Sequence, residues 1–202
     1  MKDDCAPMPH GLVVMGVTSS GKSTIAEAFA ERFGWAYRDG DDFHSPQNVE
    51  KMRAGIPLTD EDRWPWLRAI AAWLAEHREG GRHALVACSA LKKAYRDILT
   101  GGNPDEVRIV YLEGSRELIA ARMAKRKNHY MPSSLLDSQL ATLEAPGAEE
   151  KPITVPIDGT PDDMMAALVV ALEADTCQPV PEETPQIPSP LAGKVAVRST
   201  DG

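Results

Sequence analysis

The sequence predicts a three-layer α/β/α fold with helices on both faces of a five-stranded parallel sheet, and three observations support it. Short, continuously apolar runs at residues 11–15 and 84–88, and a mostly apolar one at 107–112, have the pattern of strands buried on both faces. Stretches with helical spacing separate them, which supplies the long crossovers that parallel pairing needs. A glycine-rich segment, residues 16–23, falls between the first such run and the first helical stretch.

Taken in order, Gly11-Leu12-Val13-Val14-Met15 is the first strand. Beyond the glycine-rich turn, Ile25, Ala28, Phe29 and Phe33 recur at helical spacing, and Gly34 stands where a left-handed cap ends a helix. A second strand is expected at 35–38, then a polar turn at 39–44, then helices over 47–54 and 60–79. Thr59 and Asp62 have the spacing of a capping box for the second of these. The third strand, 84–88, leads to a helix over 91–99 that stops at Gly101-Gly102, and 107–112 is the fourth. Ser115 is the expected N-cap of a helix reaching about residue 127, followed after a basic, Pro-containing break by a helix over 133–143. Residues 153–157 form a fifth strand, placed at an edge or a strand end by Pro156, and a helix over 161–174 closes the domain.

Three units follow from this pattern: a short N-terminus at 1–9, one domain at 10–175, and a tail at 176–202 in which five prolines fall between Gln178 and Pro190. At 202 residues with 43% hydrophobic and 26% charged residues, the chain has the composition of a globular protein with one substantial core. Thirty acidic against 22 basic residues, with no long basic block, argue against a nucleic-acid partner. Cys5, Cys88 and Cys177 form no C-x-x-C pair, which speaks against a zinc site or disulfide framework and suits a reducing cytoplasm. The first residues lack an apolar h-region, and no run approaches the ~18 apolar residues of a membrane span.

Residues 16–23 fit G-x-x-x-x-G-K-[ST] in the strand-to-helix context that this motif requires. Backbone N–H groups of Gly16, Val17, Thr18, Ser19, Ser20 and Gly21, with Thr24 at the helix start, are expected to face the phosphates of ATP. Lys22 would reach the β- and γ-phosphates, and Ser23 would take a place on Mg²⁺. A guanine-nucleotide switch is excluded because neither N-K-x-D nor D-x-x-G occurs. The third strand ends without an acid, so the metal's carboxylate is sought after the second strand, at Asp39 or Asp41. Two carboxylates one residue apart can divide metal support from proton acceptance, Asp41 being the candidate base. A solvated acidic turn is the structural alternative.

Further residues make the chain resemble a known family. The phosphate loop, Asp39-Gly40-Asp41 with His44, Cys88-Ser89-Ala90-Leu91-Lys92-Lys93 with Tyr95-Arg96-Asp97, Asp62-Arg63-Trp64-Pro65-Trp66-Leu67 and Leu143-Glu144-Ala145-Pro146-Gly147 together resemble the gluconate kinases, over about residues 11–172. The resemblance implies a P-loop kinase fold similar to adenylate and shikimate kinases, with a mobile lid. It also implies transfer of the ATP γ-phosphoryl group to the 6-hydroxyl of D-gluconate, and commonly a homodimer. Substrate contact is carried over to Asp41, His44 and Arg96, with Arg96 a guanidinium suited to a carboxylate. Lys92, Lys93 and Arg96 equally fit a solvated helical face.

Arg122 and Arg126 lie four apart on one expected helix, and Lys127, Asn128 and His129 extend the basic cluster. In a kinase such residues close over the phosphates, and Arg126 is the candidate catalytic cation. A shikimate-type kinase would lead us to expect a glycine run after the third strand, where Cys88-Ser89-Ala90-Leu91 stands. An inactive nucleotide-binding module that recruits a partner through its tail is the rival from another class.

Overall fold

The computed structural model describes residues 8–125 and 133–176. The expected lid residues from Arg126 to His129, and the tail beyond Thr176, lie outside the described residues. Five parallel strands form one sheet in the order β2-β3-β1-β4-β5, with β1 at Gly11–Met15, β2 at Ala36–Asp39, β3 at Ala84–Ala87, β4 at Val107–Glu113 and β5 at Ile153–Pro156. Pro156 thus ends an edge strand, where its missing N–H costs no ladder bond. Val13 sits opposite Val86 on one side and Ile109 on the other, which centres β1 in the sheet.

The pleat sends alternate residues of each strand to opposite faces, and two cores result. Leu12, Val14, Leu85, Val110 and Leu112 pack toward α1 (Lys22–Phe33) and α7 (Pro161–Thr176). Val13, Met15, Val86, Ile109 and Tyr111 pack toward α3 (Asp60–Glu79) and α4 (Lys93–Thr100). Continuous apolar runs are needed in the central strands because both faces are covered. The remaining helices are α2 (Pro46–Arg53), α5 (Arg116–Lys125) and α6 (Ser133–Thr142).

Two boundaries move for physical reasons. Asp39 belongs to β2, and the turn beyond it is a 3-10 helix, Gly40–Phe43, whose Asp41 amide donates to the Asp39 side chain. α4 starts at Lys93, two residues later than the sequence suggests, because Ala90 is left-handed at φ 45° and the Leu91 carbonyl accepts from Glu144 N–H at 2.8 Å. The capping box of α3 is present, with Asp62 N–H donating to Thr59 Oγ1 at 3.3 Å and Thr59 N–H donating to Asp62 Oδ2 at 3.0 Å.

Candidate active site

The carboxyl ends of β1, β2 and β3 meet where the connections diverge to the two halves of the sheet, the usual location of a ligand crevice in such folds. β1 delivers the glycine-rich loop. Gly16 has φ +144°, and a Cβ there would lie 2.8 Å from Ser20 Oγ and 3.0 Å from the Leu112 carbonyl, so no other residue fits this turn. Gly21 caps α1 without a side chain, leaving the first-turn amides to face the crevice. Lys22 Nζ donates to the Val17 carbonyl at 3.0 Å, which folds the ammonium back across the loop it is expected to serve.

β2 delivers the acids. Ser23 Oγ donates to Asp39 Oδ2 at 2.9 Å, and Asp41 N–H donates to Asp39 Oδ1 at 3.0 Å. One carboxylate therefore links the loop hydroxyl to the turn that carries Asp41. Gly40 allows this approach, because a Cβ there would stand 2.8 Å from the Ala87 carbonyl at the end of β3. The Trp66 indole N–H donates to the Gly40 carbonyl at 2.6 Å and fixes the turn from the α3 side. A cleft of about 250 Å³ opens here, with Thr18, Lys22, Ser23, Asp39, Asp41 and Gln139 in its walls.

The surroundings act on Asp41. The desolvating walls of the cleft, and then the negative Asp39, hold the Asp41 carboxyl above the ordinary aspartate range, while His44 and Lys22 oppose the rise. Water still reaches the Asp41 side chain, which is 86% exposed. His44 is its opposite in exposure. It stacks on Trp66 with ring centroids 4.3 Å apart, places Nε2 at 3.9 Å from Asp41 Oδ1, and buries Nδ1 with no hydrogen-bond partner among the described residues. Burial lowers its pKa, the nearby Asp41 raises it, and the nearby Arg63 lowers it further. The net direction is downward, which favours the neutral imidazole at neutral pH. Cys88 also lines the cleft, as a thiol that burial pushes up to about 12.

Arg96 does not face this cleft, which corrects the expectation that it meets the substrate carboxylate. Its guanidinium is 1% exposed and grips Glu150 through Nε at 2.6 Å and Nη2 at 2.9 Å, while Nη1 donates to the carbonyls of Ala90, Leu91 and Glu144. Each of its three nitrogens bonds to the chain, so the residue is an internal brace. Arg122 stands behind the phosphate loop, donating to the carbonyls of Ser20 at 3.2 Å, Gly159 at 3.3 Å and Ile157. A mostly apolar cavity of about 300 Å³ lies beside it, between Gly21, Thr24, Ile25, Pro161 and Met164.

Two residues of the site gave no local signal. Arg63 sits on α3 with its guanidinium half-exposed, 3.6 Å from Asp60 Oδ1 and 3.5 Å from the Tyr95 hydroxyl, close enough to influence His44. Lys92 holds Asp60 more tightly, at 2.7 Å, leaving Arg63 the looser cation of that group. Gln139 on α6 accepts from Thr18 N–H at 2.6 Å across 121 residues of sequence, and Gly16 N–H donates to the Ser89 carbonyl at 3.4 Å and Ser20 N–H to the Val17 carbonyl at 3.3 Å, which corrects the expectation that these three amides face the phosphates. A larger cavity, about 440 Å³, lies elsewhere, between α3 and α4 at the amino ends of β1 and β4, and carries none of these groups.

Comparison with known proteins shows what the chain as a whole is similar to. Residues 18–171 match the family model described as shikimate kinase. The chain is 45% identical over 167 residues to the gluconokinase of Gluconobacter oxydans (strain 621H), covering 83% of this chain and 93% of that protein. It is 39% identical over 165 residues to the thermoresistant gluconokinase of Escherichia coli (strain K12), covering 81% and 94%. Among solved structures, a gluconokinase from Sinorhizobium meliloti 1021 superposes with TM-score 0.76 at 43% identity, covering 84% of this chain and 94% of that one.

Proposed function

Since the chain belongs to the gluconokinases, within the shikimate kinase family, we propose that it transfers the γ-phosphoryl group of ATP to the 6-hydroxyl of D-gluconate, giving 6-phospho-D-gluconate and ADP. The observation that carries this reading is the linked row Lys22, Ser23, Asp39 and Asp41 on one cleft wall, which sets a phosphate cradle beside a carboxylate of raised proton affinity. Lys22 swings from the Val17 carbonyl to the β- and γ-phosphates when they arrive. Asp41 orients the acceptor hydroxyl and takes its proton as the new O–P bond forms. The apolar cavity beside Arg122 and Pro161 opens next to Gly21 at the start of α1 and suits the flat base of the nucleotide.

The Ser23 and Asp39 oxygens, 2.9 Å apart and both hard donors, would hold a magnesium ion, which prefers oxygen ligands. When bound, Mg²⁺ neutralises charge on the phosphates. With Arg96 committed to Glu150, Arg63 is the cation we assign to the gluconate carboxylate, since it lies beside His44 and makes only long contacts of its own. His44, neutral and held by Trp66, is suited to hydrogen-bond a substrate hydroxyl. Arg126 is retained as the candidate lid cation on the strength of its sequence position.

An assay coupling ADP release to NADH oxidation, run across gluconate, other sugar acids and shikimate, tests the reading. Fastest turnover with gluconate is expected, lost on chelation of Mg²⁺ and restored by adding it back; no preference for gluconate rejects the assignment. A homodimer in the cytoplasm completes the proposal, checked by light scattering and cell fractionation. No helix among the described residues is long and apolar enough to cross a membrane.

A further inference from the structure

α6 reaches the phosphate cleft with one polar side chain, and the way the helix is held gives that side chain significance. Leu136 is buried in the core shared with α1 and α7, and Leu140 and Leu143 pack against the same core. Just past the helix, Glu144 N–H donates to the Leu91 carbonyl at 2.8 Å, the Glu144 carboxylate accepts from Lys93 N–H at 2.6 Å, and its carbonyl accepts from Arg96. The carboxyl end of α6 is thereby fixed to the β3–α4 connection. One turn earlier, Gln139 accepts from Thr18 N–H at 2.6 Å, in the part of the loop that precedes the left-handed Ser19 at φ 60°.

A backbone N–H needs only an acceptor, but a carboxamide brings two donors as well. Here that group lies in the wall of the cleft in which Lys22 and Ser23 await phosphate. We infer that Gln139 is a positioning residue for phosphoryl transfer: its oxygen holds the Thr18 amide, and hence the strained turn at Ser19, in register with α6, while its N–H₂ group offers a neutral donor to the terminal phosphate. The neutrality matters, because a carboxylate would hold the amide equally well and repel the phosphate. The inference rests on the reading of residues 16–23 as a triphosphate cradle.

Two variants separate the two halves of this role. Gln139→Glu keeps an acceptor of the same length for Thr18 and removes the donors, whereas Gln139→Ala removes both. Binding of ATP and ADP is measured by displacement of a fluorescent ATP analogue with magnesium present, beside thermal unfolding and steady-state kinetics. For Gln139→Glu the expected result is an unchanged Tm, ATP affinity weakened about tenfold, ADP affinity weakened less, and KM for gluconate within about twofold. For Gln139→Ala a three- to tenfold lower kcat/KM for ATP is expected, of the order that loss of one hydrogen bond gives. Wild-type failure to bind ATP would overturn the cradle itself and this inference with it. Normal wild-type binding with both variants equal to it, with ATP and ADP weakened equally in Gln139→Glu, or with only Tm changed, would overturn the role of Gln139 alone.

Discussion

At Asp39 one carboxylate answers two donors, the Ser23 hydroxyl and the Asp41 amide, and this fixes the relation between the glycine-rich loop and the acid we propose as proton acceptor. Asp41 is thereby free to serve chemistry. Asp41→Asn should lower kcat by roughly 10²–10⁴-fold, the range of a lost general base, with KM for ATP nearly unchanged in a steady-state assay. The pH profile follows from the same residue. Asp41 must be ionised to accept a proton, so the acid limb of kcat/KM should fall above the ordinary aspartate value of 3.8. Because Asp39 contributes to the rise, Asp39→Asn should move the limb of the residual activity toward lower pH. The stability sign is opposite to that of a salt-bridged acid. With its folded pKa above its unfolded one, the native state binds the extra proton between the two values, so stability declines as pH rises through that window. Asp41→Asn should therefore raise Tm at neutral pH, with no gain at pH values below the unfolded pKa, as differential scanning fluorimetry across pH will show.

At the scale of elements, the buried pair of Arg96 and Glu150 joins α4 to the segment before β5 and to the carbonyls around residues 90, 91 and 144. Burial alone would raise the Glu150 carboxyl, yet hydrogen bonds from Arg96 and the Gly147 N–H overcome it and hold it below the usual range. Breaking such a pair leaves one buried charge and takes the donor from the Ala90 and Glu144 carbonyls. Arg96→Ala should thus cost about 3–5 kcal/mol in urea unfolding, while KM for gluconate in the folded fraction stays close to wild type. A large rise in that KM with intact stability would return Arg96 to the substrate. Arg96→Lys should also fail to rescue stability, since one ammonium cannot span these acceptors. The α3 cap is a milder case: Thr59→Ala should cost about 1 kcal/mol by the same measurement. In the sequence Arg96 looked like a cation on a polar helix face, because the acid that claims it lies 54 residues later.

At the scale of the whole molecule, the strand order puts β1 in the middle and brings the loop of β1, the acids after β2 and the end of β3 to one edge. Both cores close within the described residues up to α7, and no candidate site residue lies beyond it. A chain ending at Thr176 should therefore keep turnover with gluconate within about twofold of the full chain and a similar Tm, each of which a purified truncation can test. Loss of activity on that truncation would place part of the working site after α7.

The sequence by itself determined the strands, the helices and the phosphate loop, because these depend on residue periodicity, on glycines at forced turns and on caps three residues apart. It also put Asp39 and Asp41 at the carboxyl end of β2, since a strand end is a local feature, although Asp39 proves to be the last residue of the strand. Only the tertiary structure decided what pairs across distance: Ser23 with Asp39, Thr18 with Gln139, and Arg96 with Glu150 rather than with substrate. The physical reason is that a side chain's partner is set by packing of elements far apart in the chain, and helical spacing does not record whether a charged face meets water or a buried acid.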